Sequence, residues 1–282
     1  MRIQIACLAL LVVAPSSFAQ AEPPETMPVD EFIQSDFPDV YAVSITIDRR
    51  LEAYPVVMTA LREAELNGLA NFAALAIEDH QIWMNEAPDW SWNEYFSETR
   101  ISVSFANASV VSLDRRASFY TGGAHPNQGM TPVVTRTNSF DPAGLDDLIS
   151  DTMSESPALT ALFYAVYREL MALKRERLGV DFDEVMERET WLSPLAAELD
   201  AFPGFTLIPN QTGTAAAGLM FHFEPYAVGS YAEGSYDVPV PLSVFERYLT
   251  DAWQEIFEGE PLRPVLTEAG DALEPIIPES EE

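Results

Sequence analysis

The sequence has few of the residues that build cross-linked or reactive sites. Among 282 residues there is one cysteine, Cys7, and there are three histidines, His80, His125 and His222, which are far apart. Isolated histidines without a short-spaced partner do not predict a zinc site, and a chain without later cysteines cannot use disulfides. No calcium-loop spacing, nucleophile elbow or phosphate-binding glycine loop is present. The sequence therefore predicts no metal, no cofactor and no catalytic residue.

Basic residues are also scarce. Lys and Arg number 15 against 45 Asp and Glu, which gives a formal net charge of −30. Such a surface repels nucleic acid and anionic lipid headgroups and attracts cationic partners. The charge argues against nucleic-acid binding, and it is consistent either with simple solubility or with a cationic partner.

Long apolar runs are limited to the start of the chain. Arg2 precedes the apolar residues 3–13, and small residues follow up to Ala19, which is typical of a secretory signal peptide. This run is too short for a membrane span, and Cys7 lies inside it instead of at its end, which argues against a lipid anchor. We expect residues 1–19 to be removed, which leaves 14 basic and 45 acidic residues and a charge of −31. The mature protein is then expected to be periplasmic or secreted, without a membrane span.

Hydrophobic periodicity predicts an α+β fold of antiparallel sheets with packed helices. We expect strands at residues 40–48, 95–106, 109–121 and 130–140, and a helix over about residues 53–83 between the first two. Leu61, Leu69, Phe72 and Leu75 are predicted to share the buried face of that helix. Residues 205–210 and 215–224 are predicted to be strands of a second sheet.

Two more helices are predicted in the second half. The pair Ser156-Pro157 is a typical helix start and Gly179 a typical stop. Lys174, near the end of this helix, is expected to interact favourably with the helix dipole. A final helix is predicted to present one apolar face, made of Leu242, Phe245, Leu249, Trp253 and Ile256.

These elements suggest two α+β subdomains between less regular ends. We predict an extended N-terminal segment at residues 20–38, a first subdomain at 39–150 and a second at 151–260. Residues 261–282 are predicted to be an acidic, proline-rich tail, because four prolines and many carboxylates disfavour a packed core there.

The sharpest local pattern is the segment of residues 120–127, YTGGAHPN. Gly122 and Gly123 permit backbone angles closed to other residues, and the proline that follows His125 biases it towards an extended conformation. One interpretation is a loop that presents an imidazole at a binding site with Tyr120 and Asn127. The other is a tight hairpin whose histidine is hydrogen-bonded to the backbone.

Two further patterns leave alternatives open. The aromatic residues between positions 83 and 96 suggest either a sugar-stacking platform or a core cluster; they are Trp83, Trp90, Trp92, Tyr95 and Phe96. His222 alternates with phenylalanines in a predicted strand, which favours a packed histidine on the polar face.

Two motifs together carry a family resemblance. The first is YTGGAHPN at residues 120–127, followed by LDDLI at 145–149. The second is FHFEPYAVGSYAEG at residues 221–234, followed by VPVP at 238–241 and a helix. In this order they resemble an extracytoplasmic domain of unknown function, which is shared by a lysozyme-sensing anti-sigma factor and, as an accessory domain, by a peptidoglycan deacetylase. The resemblance covers roughly residues 40–257.

The resemblance implies an envelope binding module that recognises cell-wall glycan or a cationic wall hydrolase such as lysozyme. It adds Tyr226 and Tyr231 to the candidate binding residues Tyr120, Gly122, Gly123, His125 and Asn127. The chain lacks the transmembrane helix of the sensor and the histidine-rich metal motifs of the deacetylase, so signalling and deacetylation do not carry over. The alternatives are a peptidoglycan-active hydrolase that uses His125 with a carboxylate, and a structural envelope protein without a small ligand.

Overall fold

A computed structural model describes residues 30–87 and 89–262 and confirms the mixed α+β fold with mainly antiparallel sheets. The predicted signal peptide and nearly all of the predicted tail lie outside these residues. The chain divides into two compact units. Among the described residues, unit 1 contains those from Asp30 to Val103 with 115–129 and 137–140, and unit 2 contains 104–114, 130–136 and those from Asp141 to Leu262. This division differs from the boundary predicted between residues 150 and 151, because short segments of the first half pack with the second half.

Unit 1 begins with two paired strands. Strand β1 (Glu31–Phe37) pairs antiparallel with β2 (Tyr41–Ile47), so part of the predicted extended segment is a strand. Strand β2 alternates buried and partly buried residues along its whole length, as its sequence pattern predicts. It pairs in parallel with β3 (Tyr95–Ala106), because the chain between them crosses over through a helix.

The crossover helix α1 (Pro55–Glu86) is 32 residues long and is preceded by a 3₁₀ turn at Arg49–Ala53. Leu61 is buried, and Leu69 and Phe72 are partly buried against the cluster around Val43, as predicted. The prediction for Leu75 is wrong: its side chain is exposed, because it lies about 100° around the helix axis from the buried Ala76.

Strand β3 has the predicted bounds, and β4 (Val110–Tyr120) lies next to it in the sheet. The Asn107 side chain accepts hydrogen bonds from the backbone N–H groups of Ser109 and Val110, and so builds the turn between the two strands. The single strand predicted at residues 130–140 is wrong. Two short strands, β5 (Asn127–Met130) and β6 (Val133–Arg136), both pair with β4, because Pro132 lacks a backbone N–H and separates them.

Unit 2 has its core around one long helix. After the short helix α2 (Leu145–Leu148), helix α3 (Pro157–Leu178) begins at Ser156, whose hydroxyl accepts from the Leu159 N–H, and ends at Gly179 with φ 55°. Both predicted ends are confirmed. Leu159, Leu162 and Leu170 of α3 are fully buried in the largest apolar cluster of the chain. A 3₁₀ turn at Gly179–Asp181, helix α4 (Glu184–Met186) and one π-helical turn at Glu187–Trp191 follow.

The second sheet packs on this helix. After a 3₁₀ turn at Leu199–Ala201, strands β7 (Phe205–Pro209), β8 (Ala216–Phe223) and β9 (Tyr236–Pro241) form an antiparallel sheet in that order. Phe221, Phe223 and Val238 point to the apolar cluster around α3. A 3₁₀ turn at Tyr231–Glu233 precedes β9.

The last part of the chain is less regular than predicted. Instead of one helix it contains α5 (Leu242–Phe245), a 3₁₀ turn at Glu246–Tyr248 and α6 (Asp251–Gln254). The five predicted apolar residues are nevertheless all buried. The break follows from packing: Leu249 has extended backbone angles and forms a bridge with Ile149, which a continuous helix would prevent. Among the described residues, no helix is long and apolar enough to cross a membrane.

Candidate functional site

The YTGGAHPN segment connects β4 to β5 as an exposed hairpin loop in unit 1. Gly122 has φ 94° and Gly123 has φ 104°, conformations that L side chains rarely adopt. The Tyr120 hydroxyl donates a hydrogen bond of 3.1 Å to the carbonyl oxygen of Gly123, so the tyrosine closes its own loop. Asn127 begins β5 and is exposed. The loop therefore presents its candidate binding residues on the surface, in a conformation set by the two glycines.

His125 is exposed at the tip of this loop. Its Nδ1 atom lies 2.8 Å from the carbonyl oxygen of Pro126. This contact matches the hairpin interpretation, in which the histidine is hydrogen-bonded to the backbone.

The aromatic run next to this loop is largely a packed cluster. Trp92 stacks on Tyr95 with 4.7 Å between ring centroids, and Trp83 lies 5.8 Å from Trp92. The Tyr95 hydroxyl donates to Asp79 at 3.2 Å, and burial together with the Asp79 carboxylate raises the pKa of Tyr95. Trp90 differs from the rest because 80% of its surface is exposed. Most of this run is thus core, and Trp90 alone is a freely accessible aromatic ring.

The second candidate site is the loop of residues 224–235 in unit 2. Tyr226 has φ 73°, an unusual value for a bulky residue, and 59% of its surface is exposed. Its ring lies 5.5 Å from that of Tyr231, at an interplanar angle of 33°. The structure therefore brings together the two tyrosines that the family resemblance had added, with Tyr226 exposed and Tyr231 partly buried.

A buried ion network fixes the C-terminal half of this loop. Lys174 on α3 is 0% exposed, and its Nζ atom lies 2.8 Å from the Val228 carbonyl oxygen, 2.5 Å from Glu233 Oε2 and 2.8 Å from Glu187 Oε2. Val228 and Glu233 accept hydrogen bonds from the ammonium group, and Glu187 adds an ion pair without hydrogen-bond geometry. A buried charge of this kind is stable only with such partners. Lys174, predicted from the sequence as one of three bases near the end of α3, is thus buried and paired with two carboxylates under the loop.

Glu233 connects Lys174 to the loop backbone. Its carboxylate accepts hydrogen bonds from the Ser230 N–H at 2.7 Å and from the Tyr236 hydroxyl at 2.8 Å. Burial by itself raises the pKa of Glu233, but the hydrogen bonds from Lys174, Ser230 and Tyr236 outweigh it and leave the pKa below its usual value. A Cβ on Gly229 would lie 2.6 Å from this carboxylate, so only glycine fits there.

Arg177 lies at the solvent-facing edge of the same network. Its guanidinium donates to the carbonyl oxygens of Glu233 and Ser235 at 2.6 and 2.7 Å and lies 3.8 Å above the ring of Tyr236. Burial and the neighbouring Glu233 carboxylate raise the pKa of Tyr236, so its hydroxyl remains a donor. The loop that carries the tyrosine pair is therefore held in one conformation by side chains below it.

A third arrangement links the three strands of the second sheet. The Thr206 hydroxyl lies 2.9 Å from His222 Nε2, and His222 Nδ1 lies 2.8 Å from Asp237 Oδ1. This order of hydroxyl, imidazole and carboxylate resembles that of a catalytic triad. However, Thr206 is only 3% exposed and no substrate can reach its hydroxyl, so the arrangement stabilises the sheet. His222 is thus the packed histidine that the strand pattern predicts.

The candidate residues fall into two groups on different units. Tyr120, Gly122, Gly123, His125 and Asn127 share the hairpin loop of unit 1, and Tyr226 and Tyr231 share the loop of unit 2. Sequence reasoning missed the Lys174–Glu187–Glu233 network. One signal was available: Lys174 is the only lysine, and it follows Leu170 by four residues on the buried stripe of α3. Among the described residues, no group of three or more His, Cys, Asp or Glu side chains is arranged to hold a metal ion.

The fold and the two loops define an α+β protein that carries aromatic side chains on surface loops. Within it, residues 146–243 match the family model DUF3298, a protein family of unknown function. This region includes the Lys174 network and the Tyr226 loop, whereas the YTGGAHPN loop lies before it. No curated protein matches the chain significantly.

Two solved structures are similar to this chain. One is a DUF3298 family member from Bacteroides fragilis, which is 17% identical and superposes with a TM-score of 0.51. The match covers 80% of this chain and 96% of the Bacteroides chain. The other is a DUF3298 family protein from Pseudomonas aeruginosa, 13% identical, with a TM-score of 0.44, covering 83% of this chain and 98% of its own. At this identity the first likeness concerns the fold alone.

Proposed function

We propose that this chain is an exported, non-catalytic binding module of the bacterial cell envelope, whose target is a cationic wall hydrolase of the lysozyme type or the peptidoglycan that such an enzyme cleaves. The observation that carries the proposal is the exposed Tyr226, whose ring packs beside the partly buried Tyr231 on a loop that the buried Lys174 holds in place. Export follows from the signal-like first 19 residues.

The backbone of Tyr226 supports a binding role. A bulky residue at φ 73° costs free energy that folding has to offset elsewhere, and such residues concentrate at binding sites. A loop fixed before binding also loses little conformational entropy on binding, which favours affinity. Exposed tyrosines are common binding anchors, because the ring offers apolar area and the hydroxyl a hydrogen bond.

The charge favours the cationic protein over the glycan as the target. A net charge of −30 accelerates association with a basic protein at low ionic strength, whereas uncharged sugar gains nothing from it. Binding of a basic hydrolase should therefore weaken as salt is added, and binding of glycan should not.

The test is a titration of the mature protein with purified lysozyme by isothermal titration calorimetry at low and at high salt. The variant Tyr226→Gly removes the ring and retains a residue suited to positive φ, so the loop backbone is preserved. We expect it to raise Kd by about tenfold or more. The matched control is Tyr164→Ala, which removes another exposed tyrosine of the same unit, on α3.

A parallel sedimentation assay with insoluble peptidoglycan separates the two targets. Binding to lysozyme that depends on Tyr226 and on salt supports the cationic partner, and binding to peptidoglycan alone supports the glycan. Release of soluble fragments from peptidoglycan by the wild-type protein, lost in His125→Ala, would instead establish the hydrolase alternative.

A further inference from the structure

Helix α1 of unit 1 exposes an unusual amount of apolar surface. Six large apolar side chains on this one helix are exposed: Val56, Leu66, Leu75, Ile77, Ile82 and Met84. A surface helix normally shows polar residues on the side that faces away from the core. Leu66, Ile77 and Met84 lie on one side of the helix, and a contiguous exposed apolar patch of this kind is typical of a protein–protein contact.

Part of this surface forms a regular stripe. Leu66, Ala70, Ile77 and Met84 follow each other in steps of four, seven and seven residues, which fits the seam spacing of paired helices. Ala73 and His80, at the intervening seam positions, are partly buried: Ala73 packs on the cluster around Val43, and the His80 ring lies 5.1 Å from that of Trp92. The stripe extends over about 27 Å at about 1.5 Å per residue.

The charges around the stripe indicate the kind of partner. Residues 63–99 contain eight Asp and Glu and no Lys or Arg. Glu65 pairs with Arg115, and Asp79 accepts from Tyr95, but Glu63, Glu78 and Glu86 are exposed on the helix surface. The last turn of α1 contains an acid and no base, which is unfavourable at the negative end of a helix dipole.

We infer that the α1 stripe is a docking surface for a cationic amphipathic helix of a partner protein. The apolar side of such a helix covers Leu66, Ile77 and Met84, and its Lys and Arg side chains reach Glu63 and Glu78, the exposed carboxylates nearest the stripe. A second copy of this chain does not fit, because it would bring the same carboxylates against each other. Anionic lipid is repelled for the same reason. This inference is independent of the proposed function and uses a different unit.

The test uses a synthetic peptide of about 18 residues, long enough for the stripe, with Leu on one helical face and Lys on the other. A second peptide of equal charge with Ala in place of Leu serves as the probe for charge alone. Binding to the wild-type protein is measured by fluorescence anisotropy. We expect the Leu/Lys peptide to bind at least about tenfold more tightly than the Ala/Lys peptide.

The stripe variant is the triple substitution Leu66→Gln, Ile77→Gln and Met84→Gln. Its matched control replaces three exposed apolar residues of unit 2, as Val180→Gln, Val185→Gln and Met186→Gln. All six side chains are exposed, so both variants should fold, which circular dichroism and urea unfolding verify. We expect the stripe variant to lose the tenfold preference for Leu and the control to keep it.

Three results would overturn the inference. The first is equal binding of both peptides, which means attraction by charge alone. The second is a loss of Leu/Lys peptide binding that is equally large in the stripe variant and in the control variant. The third is a wild-type protein that is dimeric by analytical ultracentrifugation while the stripe variant is monomeric, which would identify a second copy as the occupant. A Tyr226→Gly protein should bind the Leu/Lys peptide as the wild type does, and this separates the stripe from the proposed lysozyme site.

Discussion

The two loops that carry the candidate binding residues are held in different ways. The Tyr226 loop in unit 2 rests on Lys174, which is fully buried and paired with Glu187 and Glu233. The hairpin loop in unit 1 is set by Gly122 and Gly123 and by the Tyr120 hydroxyl, all at or near the surface. One loop depends on buried charges and the other on local backbone geometry, so substitutions in them should differ strongly in effect.

The largest effect is expected from Lys174→Met. The substitution leaves the Glu187 and Glu233 carboxylates buried without their cation, which should lower the free energy of unfolding by about 3–5 kcal/mol. Urea denaturation measures the loss. Arg175→Met, one residue away, removes a surface ion pair with Glu184 and a cation–π contact with Phe182, and should cost about 1–2 kcal/mol. Similar losses in the two variants would contradict the role assigned to Lys174.

The next effect is a pH dependence that comes from Glu233. Because the folded pKa of this carboxyl is below its ordinary value of 4.5, its contribution to stability is complete above that pH and is lost as the pH falls through the folded pKa. The difference in free energy of unfolding between the wild type and Glu233→Gln should therefore be large at neutral pH and become small at acidic pH. Denaturant titrations over this pH range measure it, and a difference that does not change with pH would refute the prediction.

A smaller effect is expected in the hairpin loop from Gly123→Ala. A Cβ at this position meets nothing within 4 Å, so the whole cost comes from φ 104° and should be about 1–3 kcal/mol. Gly68→Ala is the matched control, since Gly68 lies inside α1 and also has nothing within 4 Å. That substitution should stabilise the protein by up to about 1 kcal/mol. Thermal unfolding measures the change in stability in both variants. If Gly123→Ala stabilised the protein as Gly68→Ala does, the backbone conformation at Gly123 would not be what sets this loop.

The smallest effect is expected from His125→Ala. His125 is exposed at the tip of the loop, so stability should change by less than about 0.5 kcal/mol. Urea denaturation measures the change. A loss as large as that of Gly123→Ala would mean that the imidazole, and not the glycines, holds the hairpin loop.

Several elements were predictable because their signals are local. The bounds of β3 follow from alternation, and those of α3 from the capping hydroxyl of Ser156 and from Gly179. The failures involve contacts between distant segments. The predicted C-terminal helix is broken because Leu249 pairs with Ile149, a hundred residues earlier in the chain. The candidate tyrosines came from a family resemblance, whereas nothing local indicated that Lys174 supports their loop.

By itself, the sequence determined the α+β class, the excess of negative charge and the position of both loops, because composition, periodicity and glycine placement act within a few neighbouring residues. Only the tertiary structure decided that the single lysine is buried, that His222 joins three strands and that one face of α1 lacks a partner within the described residues. These features depend on which distant side chains meet, since the free energy of a buried charge or an exposed apolar face is set by its neighbours in space.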